Sequence, residues 1–291
     1  MRKLSPFAIF LFIVGLLFLL QVSFLEAQAP RGTQAFFDDA LSAMDKAFSQ
    51  EEFTPEDEYY LGRAVAANIL AAYEPYTANP ELTRYLNRIC QTIVINSVQP
   101  VIFKNYSVIV LDSREFNAFA SPGGHIFVTR FLVETAASED MLAAVIAHEL
   151  AHVMLKHSIS IINDFRLNDE MATLAEKARA LSSDTEAANR LMSFRNSVSA
   201  VIDVLFKNGY SQEQEFEADR EAAALLSVAG YYPGALVEMI RLLQQVQPSQ
   251  KEKFNAAHPS PEQRIANLAG WVSLYRVEDT RSYRVRRFKN R

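Results

Sequence analysis

Residues 147–157 read AHELAHVMLKH. His148 and His152 stand four apart, about 40° of helical rotation, so both imidazoles leave one stripe of a helix. Neutral imidazole is a preferred zinc ligand. Glu149, between them, occupies the place of a general base for an attacking water in an H-E-x-x-H pattern. The neighbours are Ala, Val, Leu and Met. Burying three polar groups among them is unfavourable unless something compensates, and a bound cation would do so. His157 lies half a turn round from His148. It cannot join the same ion from this helix, and it reads as a surface or second-helix contact.

A catalytic zinc takes three protein ligands and keeps one position open. The third candidate lies in QEQEFEADREAAALL, Gln212 to Leu226. Helical spacing puts Glu215 and Asp219 on one stripe with Ala222, Ala223 and Leu226. It puts Glu213, Glu217 and Glu221 on another, with Arg220, which reads as the solvated face. Glu215 is the expected ligand. Asp219, one turn on, is expected to accept a hydrogen bond from a ligand histidine and fix its tautomer.

These residues need elements to hold them. Thr54 reads as an N-cap followed by Pro55 and an acidic first turn, and Asn79 caps a helix from Pro80 to Ile95. YSVIVLD (Tyr106 to Asp112) reads as a strand, REFNAFA as an extended run, Ser121 to Gly124 as a turn, and HIFVT as the returning strand of a hairpin. His125 follows the turn and reads as a hairpin side chain. Ser138 caps the helix that carries His148, expected to run to about His157. Residues 168–208 read as mostly helical, either a lid over the cleft or a packing layer. A helix from Gln212 to Val228 stops at Gly230. Another lies in YYPGALVEMIRLLQQV, and the last starts in HPSPEQRIANLAGW, with Ser260 as N-cap, Pro261 first in the helix and Gln263 as capping-box partner. The expected fold is α+β and helix-rich, with the active-site helix beside a small β-sheet.

The 291 residues carry a net charge of −5, which excludes a general nucleic-acid binder. One cysteine, Cys90, excludes an intrachain disulfide and sits in an apolar run, so a buried thiol is expected. MRK, the apolar run from Phe7 to Leu25 and the small residues of EAQAPRG have the anatomy of a signal peptide, or of an anchor if uncut. Either places the remainder outside the cytoplasm, in the periplasm or secreted. The expected organisation is residues 1–29 as signal peptide or anchor, 30–53 as linker and N-terminal helix, 54–275 as the domain that carries the candidate zinc site and 276–291 as a basic tail. RVRRFKNR in that tail reads as a solvated end, or as a contact with anionic lipid or a partner. Membrane association through either terminus follows as an expectation.

HELAHVMLKH followed some sixty residues later by EFEAD resembles the gluzincin metallopeptidases of the HtpX and CAAX prenyl protease family. FNAFASPGGHIFVT resembles the Asn-Ala-Phe…Pro-Gly-Gly segment of that family, and HPSPEQRI its downstream His-Pro…Arg element. The resemblance covers roughly Pro55 to Leu268. It implies a zincin-type core with one zinc ion held by His148, His152 and Glu215, Glu149 as general base, and Asp219 behind the ligands. It implies that Asn117, Ala118, Phe119 and Ala120 form the edge on which an extended substrate pairs as an added strand. The family's best-known members have several membrane-spanning segments where this chain has one apolar run, so the chain looks most like the compact periplasmic or secreted branch. The function implied is a zinc endopeptidase acting on unfolded or misassembled extracytoplasmic proteins in envelope quality control. The alternative is a chaperone-like zinc protein that binds such chains with little cleavage. A scaffold with structural zinc is a third reading, with His258 as fourth ligand. His258, Tyr210 and Arg264 are the candidates to stabilise an oxyanion, and His258 could instead cap the zinc in a resting enzyme.

Overall fold

The computed structural model describes residues 52–167, 209–245, 260–275 and 281–289. The N-terminal apolar run, the expected helix at 36–48, residues 168–208 and His258 lie outside them. Among the described residues there are nine helices: α1 (Pro55–Ala72), α2 (Pro80–Ile95), α3 (Arg130–Thr135), α4 (Glu139–Met154), α5 (His157–Leu167), α6 (Gln212–Val228), α7 (Ala235–Gln245), α8 (Pro261–Val272) and α9 (Arg281–Lys289). Three strands, β1 (Ser107–Leu111), β2 (Ala118–Ser121) and β3 (His125–Thr129), complete the α+β fold. No helix among the described residues is long and apolar enough to cross a membrane.

Local chemistry sets the helix starts. Thr54 and Asp57 form a capping box at α1, and the Asn79 side chain accepts from the Leu82 N–H at α2. Ser138 accepts from the Met141 N–H at α4. Ser211 with Gln214 and Ser260 with Gln263 close capping boxes at α6 and α8. Each satisfies amide donors that the first helical turn leaves open.

The sheet order is β1-β3-β2, with β1 parallel and β2 antiparallel to β3. Alternation sorts its side chains between two cores. Val108, Val110, Ala118, Ala120, Ile126 and Val128 face the core built with α2, α4, α6 and α7. Leu111 and Phe127 face the second core, with Leu61 and Val65 of α1 and Ile159 and Ile162 of α5. The expected turn is a 3-10 segment, Pro122–Gly124, with Gly123 at φ 71°. It lies so close to α1 that a Cβ on Gly62 would stand 1.7 Å from the Pro122 carbonyl oxygen. Cys90 is buried, as expected.

Helix α4 is the axis of the molecule, with every residue from Glu139 to His152 buried. Ala143, Ala144, Ala147 and Ala151 meet Ala218, Ala222 and Ala223 of α6 in one core; side chains this small let two backbones approach closely. The helix does not run to His157 as the sequence suggests. It ends at Met154, Lys156 takes a positive φ of 55°, and His157 opens α5. A lysine gives no warning of a left-handed turn, which glycine or asparagine would have given. Its side chain reaches Glu58 of α1 in an ion pair of 2.6 Å.

The basic tail also departs from expectation. Arg286 and Lys289 are exposed, but Arg284 of α9 is buried. Its Nε donates to Asp140 at 3.0 Å and its Nη1 to the Gly230 carbonyl at 2.9 Å. Arg287 donates to Glu139, which also accepts from Tyr85 at 2.8 Å and Tyr231 at 3.2 Å. Two carboxylates in the first turn of α4, favourably placed against the helix dipole, are thus closed over by the tail. Arg284 and Arg287 are part of the fold rather than a solvated end.

Candidate metal centre

His148 and His152 come from the second half of α4, and Glu215 from the first turn of α6. The close α4–α6 packing brings them together. All three are buried, and their nearest donor atoms lie within 4.8 Å of one another. His148 Nε2 is 3.2 Å from His152 Nε2 and 3.5 Å from a Glu215 oxygen, and His152 Nε2 is 3.6 Å from the other. A tetrahedron with metal–ligand bonds of about 2.0–2.1 Å has edges of roughly 3.3–3.4 Å. The two imidazole nitrogens lie about one such edge apart, and the Glu215 carboxylate sets one oxygen near each of them, so the three side chains converge on one point. Charge points the same way. Glu149, Glu215 and Asp219 are buried against one buried guanidinium, Arg264. Three carboxylates gathered in a dry site favour a bound cation. Nitrogen and carboxylate donors in this number suit zinc.

Each of these two histidines has a partner on its other nitrogen, but the two partners differ. His148 Nδ1 is 3.0 Å from Asp219 Oδ1. Asp219 is gripped by Arg264, whose Nε and Nη2 donate at 2.9 and 2.5 Å. Burial pushes the Asp219 carboxyl up, but Arg264 outweighs it and holds the group below its ordinary value. Burial and Arg264 push the His148 imidazole down. Hydrogen bonds to Asp219 and Glu215 overcome both, so the polypeptide by itself holds it at about 9. His152 Nδ1 instead meets His157 Nδ1 at 2.9 Å, and His157 Nε2 meets Glu217 Oε2 at 3.3 Å. His157 is therefore buried on a second helix and oriented toward the cluster. The sequence allowed the second-helix contact, but the turn at Lys156 that creates it was not legible.

Two oxyanion candidates have other engagements. The Tyr210 ring stacks on His152, with centroids 3.9 Å apart and planes 15° apart, and its hydroxyl bonds Ser158 Oγ at 2.8 Å. Arg264 is committed to Asp219, with Glu215 at 3.7 Å. His125 stays in the hairpin, its Nδ1 3.2 Å from Ser107 Oγ. Burial first, and Arg63 second, depress its imidazole to about 4.

Glu149 faces a pocket with His148 and Arg264. The other walls are apolar: Phe116, Ala118, Leu132, Val145, Leu236, Met239, Ile240 and Leu243. Ala118 belongs to β2, which forms one edge of the sheet. The Thr129 N–H donates to the Asn117 carbonyl. By antiparallel alternation, the backbone groups of Ala118 and Ala120 then point away from β3, toward the open edge.

Comparison with known proteins agrees with this chemistry. The chain is 26% identical over 197 residues to the Beta-barrel assembly-enhancing protease of Escherichia coli O157:H7, covering 66% of this chain and 39% of that protein. It is 26% identical over 251 residues to the Mitochondrial metalloendopeptidase OMA1 of Schizosaccharomyces pombe, covering 86% and 67%. It is 26% identical over 197 residues to the Metalloprotease LoiP of Escherichia coli K12, covering 67% and 73%. The chain thus spans about two fifths of the first of these relatives. The family model for peptidase family M48 matches residues 80–272. That stretch is more than half of the chain and contains His148, Glu149, His152, Glu215, Asp219 and Arg264, so the chain belongs to peptidase family M48, whose members are zinc-dependent metallopeptidases.

Proposed function

We propose that this chain is a zinc endopeptidase that cleaves extended segments of unfolded or misassembled extracytoplasmic proteins, in the service of envelope quality control. The observation that carries the reading is the convergence of His148, His152 and Glu215, with Glu149 on the α4 helix of the two histidines facing an apolar pocket. The names of two relatives, the Beta-barrel assembly-enhancing protease and the Mitochondrial metalloendopeptidase, support proteolysis at a membrane-bounded compartment. The signal-like N-terminus, with its apolar run from Phe7 to Leu25, supports export of this chain.

When bound, zinc supplies a Lewis acid that activates water and polarises the scissile carbonyl. His148, His152 and Glu215 would hold it. Asp219 keeps the His148 Nδ1 proton in place and leaves Nε2 as the ligand atom, while Arg264 keeps Asp219 ionised. Glu149 accepts the proton of the attacking water and returns it to the leaving amine. The substrate adds as a strand beside β2, with the backbone of Ala118 and Ala120 as its partners, within the edge from Asn117 to Ala120. An apolar substrate side chain next to the scissile bond fills the pocket walled by Val145, Leu236, Met239 and Leu243. Its burial favours cleavage beside Leu, Phe or Met by about 1.5–3 kcal/mol over small residues.

The test is casein hydrolysis by the purified protein, with chelator, with zinc restored, and beside Glu149→Gln. Cleavage should vanish with chelator and return with zinc. Glu149→Gln should retain zinc yet lose activity by roughly 10²–10⁴-fold. Equal cleavage by wild type and Glu149→Gln would overturn the proposal. Zinc binding and holding of unfolded casein without cleavage would instead establish the chaperone-like function.

A further inference from the structure

His157 is a buried imidazole that the reaction above does not use. It is 3% exposed. The turn at Lys156 brings it back against the helix it has just left, so that His152 Nδ1 and His157 Nδ1 lie 2.9 Å apart. Proton counting fixes the arrangement. If His152 Nε2, which faces His148 and Glu215, gives its lone pair to the ion, its single proton is on Nδ1. A 2.9 Å contact with His157 Nδ1 then makes the latter an acceptor. The one proton of neutral His157 must be on Nε2, and there it meets Glu217 Oε2 at 3.3 Å. One tautomer assignment satisfies all three groups.

We infer that His157 is the positioning residue for His152: it accepts the Nδ1 proton and thereby presents Nε2 to the metal, with Glu217 fixing the tautomer of His157 in turn. Rotation of the His152 ring is restrained from the side as well. Tyr210 stacks on its face at 3.9 Å and is tied through Ser158, the residue after His157. The two ligand histidines are therefore held by unlike partners. His148 is backed by the carboxylate of Asp219, whereas His152 is backed by a neutral imidazole that ends at a half-exposed carboxylate. A neutral acceptor adds less negative charge beside Glu149, Glu215 and Asp219 than a fourth buried carboxylate would.

The inference rests on the zinc-site reading, and its test is a binding measurement that does not depend on proteolysis. Zinc affinity is measured by chelator competition for wild type, His157→Leu, His157→Gln and Glu217→Gln, alongside the thermal midpoint of each. Wild type failing to bind zinc at His148, His152 and Glu215 would sink the site itself. Given wild-type binding, His157→Leu should weaken affinity by about 10–100-fold, the usual cost of losing a group that orients a ligand. His157→Gln, whose side-chain carbonyl can still accept, should recover most of that loss at a similar midpoint. Glu217→Gln, at a half-exposed position, should cost roughly two- to fivefold. In zinc-loaded wild type, nitrogen-detected resonance of the imidazoles should find the His157 proton on Nε2. That readout stands even if the leucine variant does not fold. Wild-type affinity in His157→Leu, equal losses in the leucine and glutamine variants, or a proton on His157 Nδ1 would each overturn the assignment.

Discussion

Replacing Arg284 by alanine should destabilise the whole protein, although the residue lies in the basic C-terminal stretch far along the chain from His148 and His152. The Arg284 and Asp140 side chains are 6% and 7% exposed, and Nε lies 2.9–3.0 Å from both carboxylate oxygens. Removing one partner of a buried pair leaves an uncompensated charge and costs about 3–5 kcal/mol. Asp140 keeps two other sources of support. The Tyr232 N–H still donates to it at 2.8 Å, and it sits in the first turn of α4. The expected cost is therefore at the low end, about 3 kcal/mol, or roughly 6–12 °C in Tm for a chain of this size. The assay is urea denaturation followed by circular dichroism, with Asp140→Asn and the double variant completing a cycle. The second substitution should cost much less in the Arg284→Ala background, because no uncompensated buried charge then remains. A loss under about 0.5 kcal/mol for Arg284→Ala, the value of a surface pair, would refute the docking of α9 on α4.

Other outcomes follow from the same geometry. Asp219→Asn removes the charge that grips buried Arg264 and backs His148, so zinc affinity should fall about 10–100-fold and the chelated protein should lose stability as well; unchanged values of both would contradict the arrangement. The polypeptide holds His148 protonated below about pH 9, so zinc must displace that proton. Affinity should then rise with pH, by about tenfold per unit from this group below pH 9, and calorimetry in two buffers at neutral pH should detect its release. A flat profile between about pH 6 and pH 8 would be inconsistent with that displacement. Gly62→Ala should cost at least about 1–3 kcal/mol, since its Cβ would meet the Pro122 oxygen at 1.7 Å and α1 would have to move off the turn. Gly270→Ala, in an exposed position of α8 with nothing within 4 Å, should instead stabilise by about 0.5–1 kcal/mol.

The clustering of His148, Glu149 and His152 was legible because a helix turns four-residue spacing into a shared stripe, and that holds wherever the helix packs. The same logic separated Glu215 and Asp219 from Glu213 and Glu217. Helix starts were equally legible at Thr54, Asn79, Ser138 and Ser260, since capping is decided within one turn. Three things were not local and needed the fold. At Lys156 the chain enters the left-handed region and the side chain pairs with Glu58, almost a hundred positions earlier, and no nearby residue announces that His157 turns back onto His152. Arg264 grips Asp219 because α8 packs against α6. Arg284 and Arg287 are spent on Asp140 and Glu139, though in sequence they look like any solvated basic tail. A charged side chain reads the same whether water or a buried counter-charge awaits it. Sequence alone set the candidate reactive groups and the helix starts, whereas tertiary packing chose the partners of Asp219, Asp140 and Glu139, because those pairings depend on distance through space and not along the chain.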